Sequence, residues 1–256
     1  MLLIISPSKT QEFDVPIRGD FTQPLFLKQA EQLARQLKIL DQPQLAALMK
    51  MSDKLAAVNY QRFQQFKLPF TIENSRQALF MFQGDQFSPM DVDGYSEQQL
   101  AHGQQHLRIL SGLYGVLRPL DLMQPYRLEM ATRLTVGEAK NLYGFWRKVI
   151  TEEINRRLQA DPSPLLINLA SAEYFKVIDK KELQADVLTM TFKQEKAGKL
   201  KSIAIYAKRA RGAMVDFVMQ NFISTPIDLQ AFDRDGYQFN SNLSTENEWF
   251  FVRSLS

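Results

Sequence analysis

The sequence predicts a single α+β domain over residues 1–256, in which helices surround a mixed β-sheet. Short β-rich runs are interspersed with stretches of helical periodicity, but they do not repeat as regular βαβ units. No internal repeat is visible, and no linker is long or polar enough to mark a domain boundary. A length of 256 residues with 45% hydrophobic residues is enough to build one large core.

Strands are predicted where the apolar runs are short. Leu2–Ile5 is an unalternating apolar run that ends at Ser6, which is typical of a strand buried on both faces. Leu165–Leu169 has the same character and follows two prolines. Further β-rich or aromatic runs are predicted to complete the sheet, with a hairpin between the first two: 187–193, 200–206, 237–239 and 249–252.

Helices are predicted where apolar residues recur three and four apart after a capping residue. Ser96 begins a capping box that predicts a helix over residues 97–110. Gly112 and Gly115 then predict a hairpin between helices, or a helix that runs into a loop. The remaining helices are predicted over residues 24–40, from about 43, and over 52–66, 141–158 and 207–222.

The composition excludes several classes of chemistry. A chain without cysteine has no disulfide framework, no thiolate-held iron–sulfur cluster and no cysteine nucleophile. The apolar run at the N-terminus is too short for a signal peptide, and no apolar stretch is long enough to span a bilayer. We therefore expect a cytoplasmic protein with no membrane partner and no cofactor.

Positive charge is concentrated between residues 193 and 211. This segment contains seven basic residues and one acid, a local net charge of +6. Three of the cations fall in the first turn of a predicted helix, where the macrodipole is already positive. Two interpretations remain open: a phosphate-binding site, or a solvated hairpin with surface charges. The basic residues are Lys193, Lys196, Lys199, Lys201, Lys208, Arg209 and Arg211.

Lys9 follows the first predicted strand, in Ile5-Ser6-Pro7-Ser8-Lys9-Thr10. Ligands often bind where a buried strand ends, so this loop is a second candidate for anion contact. It has no glycine and matches neither a Walker loop nor a dinucleotide-binding fingerprint. An ordinary polar turn is the alternative interpretation.

The segment Leu110 to Pro119 resembles the hairpin of helix-hairpin-helix DNA-binding motifs, in which a glycine turn presents backbone N–H groups to a phosphate. Its glycines are Gly112 and Gly115, with two residues between them instead of the usual one. An ordinary helix C-cap at the first glycine also explains the pattern. Two arginines lie on either side of the two glycines: Arg108 and Arg118.

Polar side chains beside strongly apolar elements form another group of candidates. Such groups are costly unless they are paired, so they indicate either structural ion pairs or a polar pocket with a general base. An Arg127 to carboxylate bridge is the structural alternative. The candidates are Asp121, Glu129, Asn168, Glu173 and Tyr174.

The two histidines, His102 and His106, lie four apart on one predicted helix. This spacing can place two imidazoles toward one metal ion, but no carboxylate at a matching position completes a ligand set. We therefore expect polar helix residues and no metal site.

Four segments of the chain match one family pattern: Ser6 to Thr10, 104–129, Asn168 to Tyr174, and Tyr206 to Gly212. On these segments the chain resembles the bacterial YaaA family of peroxide-stress proteins. The resemblance implies a cytoplasmic α+β DNA-binding protein with a positively charged cleft and a helix-hairpin-helix-like element. It also implies a role in surviving hydrogen peroxide while unincorporated iron is kept low. His106 belongs to the family pattern, whereas His102 does not.

Two hypotheses of different classes follow. The first is a peroxide-stress protein that binds double-stranded or branched DNA in a basic cleft and limits damage from free iron. Its phosphate-contacting residues are expected to be Lys9, Arg108, Gly112, Gly115, Arg118, Lys208, Arg209 and Arg211. The second is an enzyme acting on a nucleic-acid base or nucleotide in the same cleft. Its acid or base is expected among Asp121, Glu129 and Glu173, with Asn168 and Tyr174 orienting the substrate.

Overall fold

The computed structural model describes residues 1–254, which fold around an eight-stranded mixed sheet with helices packed on it. The strands are β1 (Leu2–Ile5), β2 (Arg76–Gln77), β3 (Leu107–Ser111), β4 (Gly115–Leu117), β5 (Leu122–Met123), β6 (Leu165–Leu169), β7 (Asp186–Lys196), β8 (Lys199–Lys201), β9 (Gln238–Phe239) and β10 (Glu248–Ser254). The helices are α1 (Leu27–Lys38), α2 (Gln42–Met49), α3 (Asp53–Gln65), α4 (Ala78–Met81), α5 (Glu97–His106), α6 (Leu142–Leu158), α7 (Ala172–Phe175) and α8 (Ala204–Gln220). Short 3-10 helices cover Pro226–Ala231 and Arg234–Gly236.

The sheet has a parallel centre and antiparallel edges. Its order is β4-β3-β1-β6-β7-β10-β9, and β8 pairs with β7. The five central strands run parallel to one another: β3, β1, β6, β7 and β10. Strands β4, β8 and β9 are antiparallel to their neighbours. The carboxyl ends of β1, β3 and β6 therefore meet at one edge, here called the carboxyl edge. The α+β class with a mixed sheet is confirmed.

The centre of the sheet is buried because helices and loops cover both of its faces. All four residues of β1 are buried, as its unalternating apolar run predicts. One continuous apolar core extends from Met1 to Phe251. Trp146 of α6 is fully buried, and its indole N–H donates a hydrogen bond to the carbonyl of Gly112 at 2.9 Å. This bond ties α6 to the turn between β3 and β4.

The glycine-containing segment is a β-hairpin, so the predicted hairpin between helices is wrong. The capping box at Ser96 forms as predicted, but α5 ends at His106 and not at residue 110. Residues 107–111 instead form β3, whose residues 107–109 pair with residues 3–5 of β1. A short apolar run fits a buried strand as well as a buried helix, and here the pairing with β1 decides its structure. The turn then returns the chain as β4, antiparallel to β3.

The basic hairpin predicted near residue 198 is present, with different boundaries. The strand predicted over 200–206 ends at Lys201, and α8 begins at Ala204 instead of residue 207. Lys208, Arg209 and Arg211, which were predicted in the first turn of this helix, therefore all lie in its second turn.

Candidate functional site

The loops after β1 and β6 are joined by hydrogen bonds at the carboxyl edge. Ser6 Oγ accepts a hydrogen bond from the backbone N–H of Ser171 at 2.9 Å and donates one to Ser171 Oγ at 3.2 Å. Asn168 Oδ1 accepts from the backbone N–H of Ala170 at 3.1 Å, and its amide donates to Thr189 Oγ1 at 3.4 Å. Asn168 therefore shapes the loop that leads into α7.

A cluster of charged side chains lies beside these loops. Glu129 Oε1 is 2.8 Å from Lys9 Nζ and 3.2 Å from Arg127 Nη2, so one carboxylate oxygen serves two cations. The Glu129 side chain is 26% exposed, which keeps it within reach of a ligand. These groups border a cavity of about 50 Å³, here called the Lys9–Glu129 site. Its lining residues are Pro7, Ser8, Lys9, Gln11, Tyr126, Arg127, Leu128, Glu129, Glu173 and Tyr174.

Helix α7 contributes an acid and a phenol to the same site. Glu173 Oε1 accepts a hydrogen bond from the backbone N–H of Ala131 at 3.1 Å, which fixes the carboxylate against the segment that carries Glu129. Burial, together with the nearby carboxylates, raises the pKa of Tyr174 well above its ordinary value. Tyr174 therefore stays neutral at physiological pH and retains its proton as a hydrogen-bond donor.

Arg127 retains unused donor capacity at this site. Its Nε is buried and has no hydrogen-bond partner within residues 1–254, although Nη2 contacts Glu129. A buried guanidinium N–H without a partner is costly to the folded state. The arrangement therefore combines two cations, two carboxylates and a phenol within one small cavity.

Asp121 lies elsewhere and is fully occupied by structural bonds. Its side chain is 0% exposed. Oδ1 accepts from Arg118 Nη2 at 2.7 Å and from Thr22 Oγ1 at 2.6 Å, and Oδ2 accepts from the backbone N–H of Arg118 at 2.8 Å. The structure thus places Asp121 and Arg118 in an ion pair away from the Lys9–Glu129 site.

The residues expected to form a phosphate-facing hairpin lie in the interior. Arg108 is 4% exposed, and Nη1 donates to the carbonyls of Gln104 and Leu107 at 3.0 and 2.8 Å. A Cβ on Gly112 would lie 2.1 Å from the carbonyl oxygen of Leu128. Gly115 has a φ of +71° and packs against Trp146. These positions serve a tight buried turn and present no N–H group to a partner at the surface.

The basic segment is exposed and lacks acidic partners. Five cations lie at the surface of β7, β8 and the first turns of α8, here called the α8 basic surface: Lys196, Lys199, Lys201, Lys208 and Arg209. None of them forms an ion pair with a carboxylate of residues 1–254. Lys193 packs over the Phe250 ring at 4.6 Å. Arg211 is half-buried, burial lowers its pKa, and its Nε has no partner in the described part of the chain.

One loop connects the α8 basic surface to the Lys9–Glu129 site. Residues 84–90 touch α8 at Gly212, where a Cβ would lie 1.8 Å from the carbonyl oxygen of Gln86. The same loop reaches the first strand's loop at Gly84, where a Cβ would lie 3.1 Å from Ser8 Oγ. The residues lining the Lys9–Glu129 site do not include Lys208, Arg209 or Arg211, so the structure does not show a shared basic cleft.

The histidines face backbone carbonyls. The rings of His102 and His106 are 4.4 Å apart. His102 Nε2 donates to the carbonyl of Ile223 at 3.0 Å, and His106 Nδ1 donates to that of Met1 at 2.9 Å. Within residues 1–254 no group of three or more His, Asp or Glu side chains is arranged to hold a metal ion. In the same residues, no helix combines the length and the apolar character needed to cross a membrane.

Comparison with known proteins decides the family. The family model described as peroxide stress protein YaaA matches residues 1–243. The chain belongs to this family. A UPF0246 protein of Acaryochloris marina (strain MBIC 11017) is 49% identical over 99% of this chain and 100% of its own length. UPF0246 proteins of Cellvibrio japonicus (strain Ueda107) and Janthinobacterium sp. (strain Marseille) are 48% and 46% identical, over 99% and 100% of this chain and 98% and 99% of their own lengths.

In this YaaA-family protein, sequence reasoning missed residues at both candidate surfaces. Ser171 lies in a segment that carries the family resemblance, but its pairing with Ser6 had no sequence signal because it depends on β1 and β6 being neighbours in the sheet. Ile205 and Tyr206 are 49% and 38% exposed beside the cations of α8. Their signal was present in the sequence, as apolar residues inside a strongly basic segment.

Proposed function

We propose that this member of the peroxide stress protein YaaA family binds DNA, mainly through phosphate contacts of the α8 basic surface. The observation that carries the proposal is the group of exposed cations without acidic partners in the described chain. Lys208 and Arg209 lie in the second turn of α8, and both side chains are exposed. Phosphate groups would neutralise these cations, and binding would release counterions from the DNA.

Exposed apolar side chains favour DNA with unstacked bases. Ile203, Ile205 and Tyr206 are 39%, 49% and 38% exposed among the cations. The Arg253 guanidinium packs on the Tyr206 ring at 4.4 Å. Apolar and aromatic groups interleaved with cations suit strands whose bases are accessible for stacking. We therefore expect tighter binding to branched or partly single-stranded DNA than to a regular duplex.

We propose that protection from free iron acts at the DNA. Ferrous ions associate with the same phosphate backbone that the cations of α8 neutralise, and a bound protein displaces counterions from it. Hydroxyl radicals would then form less often next to the DNA. Plasmid nicking by ferrous iron and hydrogen peroxide should fall when the protein is added, and the fall should be smaller with Lys208→Ala/Arg209→Ala. Equal protection by both proteins would contradict this route.

Fluorescence anisotropy with labelled four-way junction and matched duplex tests the binding itself. We expect Lys208→Ala/Arg209→Ala to weaken binding by at least about tenfold at low salt, because two phosphate contacts are removed. The matched control is Lys180→Ala/Lys181→Ala, which removes two exposed lysines that follow α7. An unchanged affinity in the α8 variant, or an equal loss in the control, would contradict the proposal.

A second candidate function is an enzyme that acts on a nucleic-acid base or nucleotide. The observation that favours it is the convergence of Lys9, Glu129, Glu173 and Tyr174 on one cavity. The two carboxylates provide an acid and a base, and the cations provide contacts for a substrate phosphate. We expect Glu129→Gln and Glu173→Gln to abolish base release or nucleotide turnover, as followed by chromatography, while DNA affinity is retained. Unchanged DNA integrity and peroxide survival with both variants would exclude the enzyme.

A further inference from the structure

A second cavity, of about 570 Å³, is formed by the end of α1, the end of α3 and the segment around Pro125. Three of its lining side chains are cations and none is a carboxylate. We call it the Arg62 pocket. Its lining residues are Phe13, Lys38, Arg62, Gln64, Gln65, Phe66, Lys67, Asn74, Gln124 and Pro125.

Hydrogen bonds hold the wall of the Arg62 pocket in place. Lys38 Nζ donates to the carbonyl of Phe66 at 2.6 Å, and the Gln64 amide donates to the carbonyl of Lys38 at 2.8 Å. The buried Gln124 side chain accepts from the backbone N–H of Lys67 at 3.2 Å and donates to its carbonyl at 3.0 Å. The backbone of Lys67 is thereby fixed while its side chain remains exposed.

The cations of this pocket lack negative partners. Within residues 1–254, Lys38, Arg62 and Lys67 form no ion pair with a carboxylate. The Arg62 side chain is half-buried, and its contact with Asn59 Oδ1 is long, at 3.5 Å. Burial lowers the pKa of Arg62. A partly desolvated guanidinium without an anion is costly, and an anionic ligand would remove that cost.

Apolar side chains also line the Arg62 pocket. Phe13, Phe66 and Pro125 line it, and the Arg76 guanidinium packs on the Phe13 ring at 4.3 Å. Arg76 itself is occupied by hydrogen bonds to the carbonyls of Val15 and Ser75, at 2.9 and 2.8 Å. The pocket lining thus combines cationic and apolar side chains, and the pocket volume lies within the range of small-molecule sites.

We propose that the Arg62 pocket binds a phosphomonoester with a planar or apolar body, such as a nucleoside monophosphate. The phosphate contacts Arg62 and Lys67, and the body packs against Phe13 and Pro125. The pocket shares no lining residue with the α8 basic surface, so the inference does not rest on the proposed DNA binding. Residues Pro125 and Tyr126 are adjacent in sequence and line the Arg62 pocket and the Lys9–Glu129 site respectively.

Isothermal titration calorimetry with adenosine 5′-monophosphate, adenosine and inorganic phosphate tests this site. We expect the monophosphate to bind more tightly than either part alone. Arg62→Gln and Lys67→Gln should each weaken its binding at least about tenfold, as expected for loss of a charged contact. Lys54→Gln, an exposed lysine of α3, is the matched control and should bind normally. Lys67 is exposed, so its variant tests the site without disturbing the core.

The remaining outcomes are decisive as well. Absence of monophosphate binding, or equal binding by all variants, would overturn the site. Phosphate binding as tight as that of the monophosphate would overturn the role of Phe13 and Pro125. A 5′-phosphorylated oligonucleotide that competes with the monophosphate identifies a strand end as a ligand, whereas lack of competition identifies a free nucleotide. Lys208→Ala/Arg209→Ala should retain monophosphate binding, which separates failure of this site from failure of DNA binding.

Discussion

Single charged residues in this protein serve either the interior or the surface, and burial separates the two groups. Arg108 is 4% exposed in a buried strand, and burial lowers its pKa to about 10. Lys208 and Arg209 are exposed and without acidic partners in the described residues. The sequence predicted phosphate contacts for both groups. Only Lys208 and Arg209 lie where a phosphate can reach them.

Arg108→Ala tests the interior assignment. We expect the free energy of unfolding to fall by about 2–4 kcal/mol, because the change removes two hydrogen bonds to carbonyls and leaves a cavity. DNA affinity should be unchanged at a temperature where the variant is folded. Urea unfolding and fluorescence anisotropy measure the two quantities. A loss of DNA affinity at unchanged stability would instead assign Arg108 to the binding surface.

The histidine pair makes stability depend on pH. Burial is the main cause that lowers the pKa of both His102 and His106, and for His106 the charges of His102, Arg157 and the N-terminal ammonium add to it. Asp161 also lies near His106, with its own pKa lowered. Because the folded pKa lies below the unfolded value of about 6.5, the stabilisation is complete above that value. It is lost as pH falls through the folded pKa.

We therefore expect the midpoint of thermal unfolding to fall by a few degrees between pH 7 and pH 5, as two partly buried imidazoles become protonated. His106→Asn keeps a donor near the carbonyl of Met1 but removes the titrating ring, so its midpoint should change less over this interval. Differential scanning calorimetry measures the midpoints. A wild-type midpoint that rises on acidification would show that the sign is wrong.

At the scale of elements, local signals predicted where several elements begin, and tertiary pairing decided where others end. The capping box at Ser96 and the buried strand Leu2–Ile5 were correctly predicted because their signals are local. The boundary of α5 at His106 was not, because Leu107–Ser111 becomes a strand only beside β1. The glycine turn that follows was predicted as a hairpin between helices because the strand before it was predicted as part of a helix.

Gly212 controls how closely α8 approaches the loop of residues 84–90. A Cβ there would lie 1.8 Å from the carbonyl oxygen of Gln86, a backbone atom that has little freedom to move away. We expect Gly212→Ala to lower the free energy of unfolding by at least about 2 kcal/mol through overpacking. Gly144→Ala in α6 is the control, since a Cβ at this position would lie no closer than 3.8 Å to any neighbouring atom. Chemical denaturation compares them, and equal stability of the two variants would contradict the close approach.

At the scale of the whole molecule, the sequence indicated several residues of the Lys9–Glu129 site but only part of how they are grouped. Glu129, Glu173 and Tyr174 were predicted as one group, and the fold adds Lys9 to their cavity because β1 and β6 are neighbours. Asp121 was grouped with them but lies in a buried pair with Arg118. The Arg62 pocket had no sequence signal, because its cations come from α1, α3 and the loop after it.

The Lys9–Glu129 site includes none of the cations of the α8 basic surface, so the two can be tested separately. The α8 basic surface offers contacts for an extended polyanion, whereas the Lys9–Glu129 site is a small cavity of about 50 Å³. Glu129→Gln should leave DNA affinity within about twofold, since it removes no cation from the α8 basic surface. Anisotropy with the junction substrate measures this, and a loss as large as that of Lys208→Ala/Arg209→Ala would mean that the two surfaces act as one.

The salt dependence of DNA binding tests the proposed function most directly. For a backbone-contacting protein, the logarithm of the binding constant falls linearly with the logarithm of salt concentration, with a slope of about −0.9 per duplex phosphate neutralised. We expect Lys208→Ala/Arg209→Ala to make the slope shallower by about 1.8, as two contacts are lost. Lys180→Ala/Lys181→Ala should keep the wild-type slope. Binding that is insensitive to salt, or a slope that the α8 substitutions leave unchanged, would contradict phosphate recognition by the α8 basic surface.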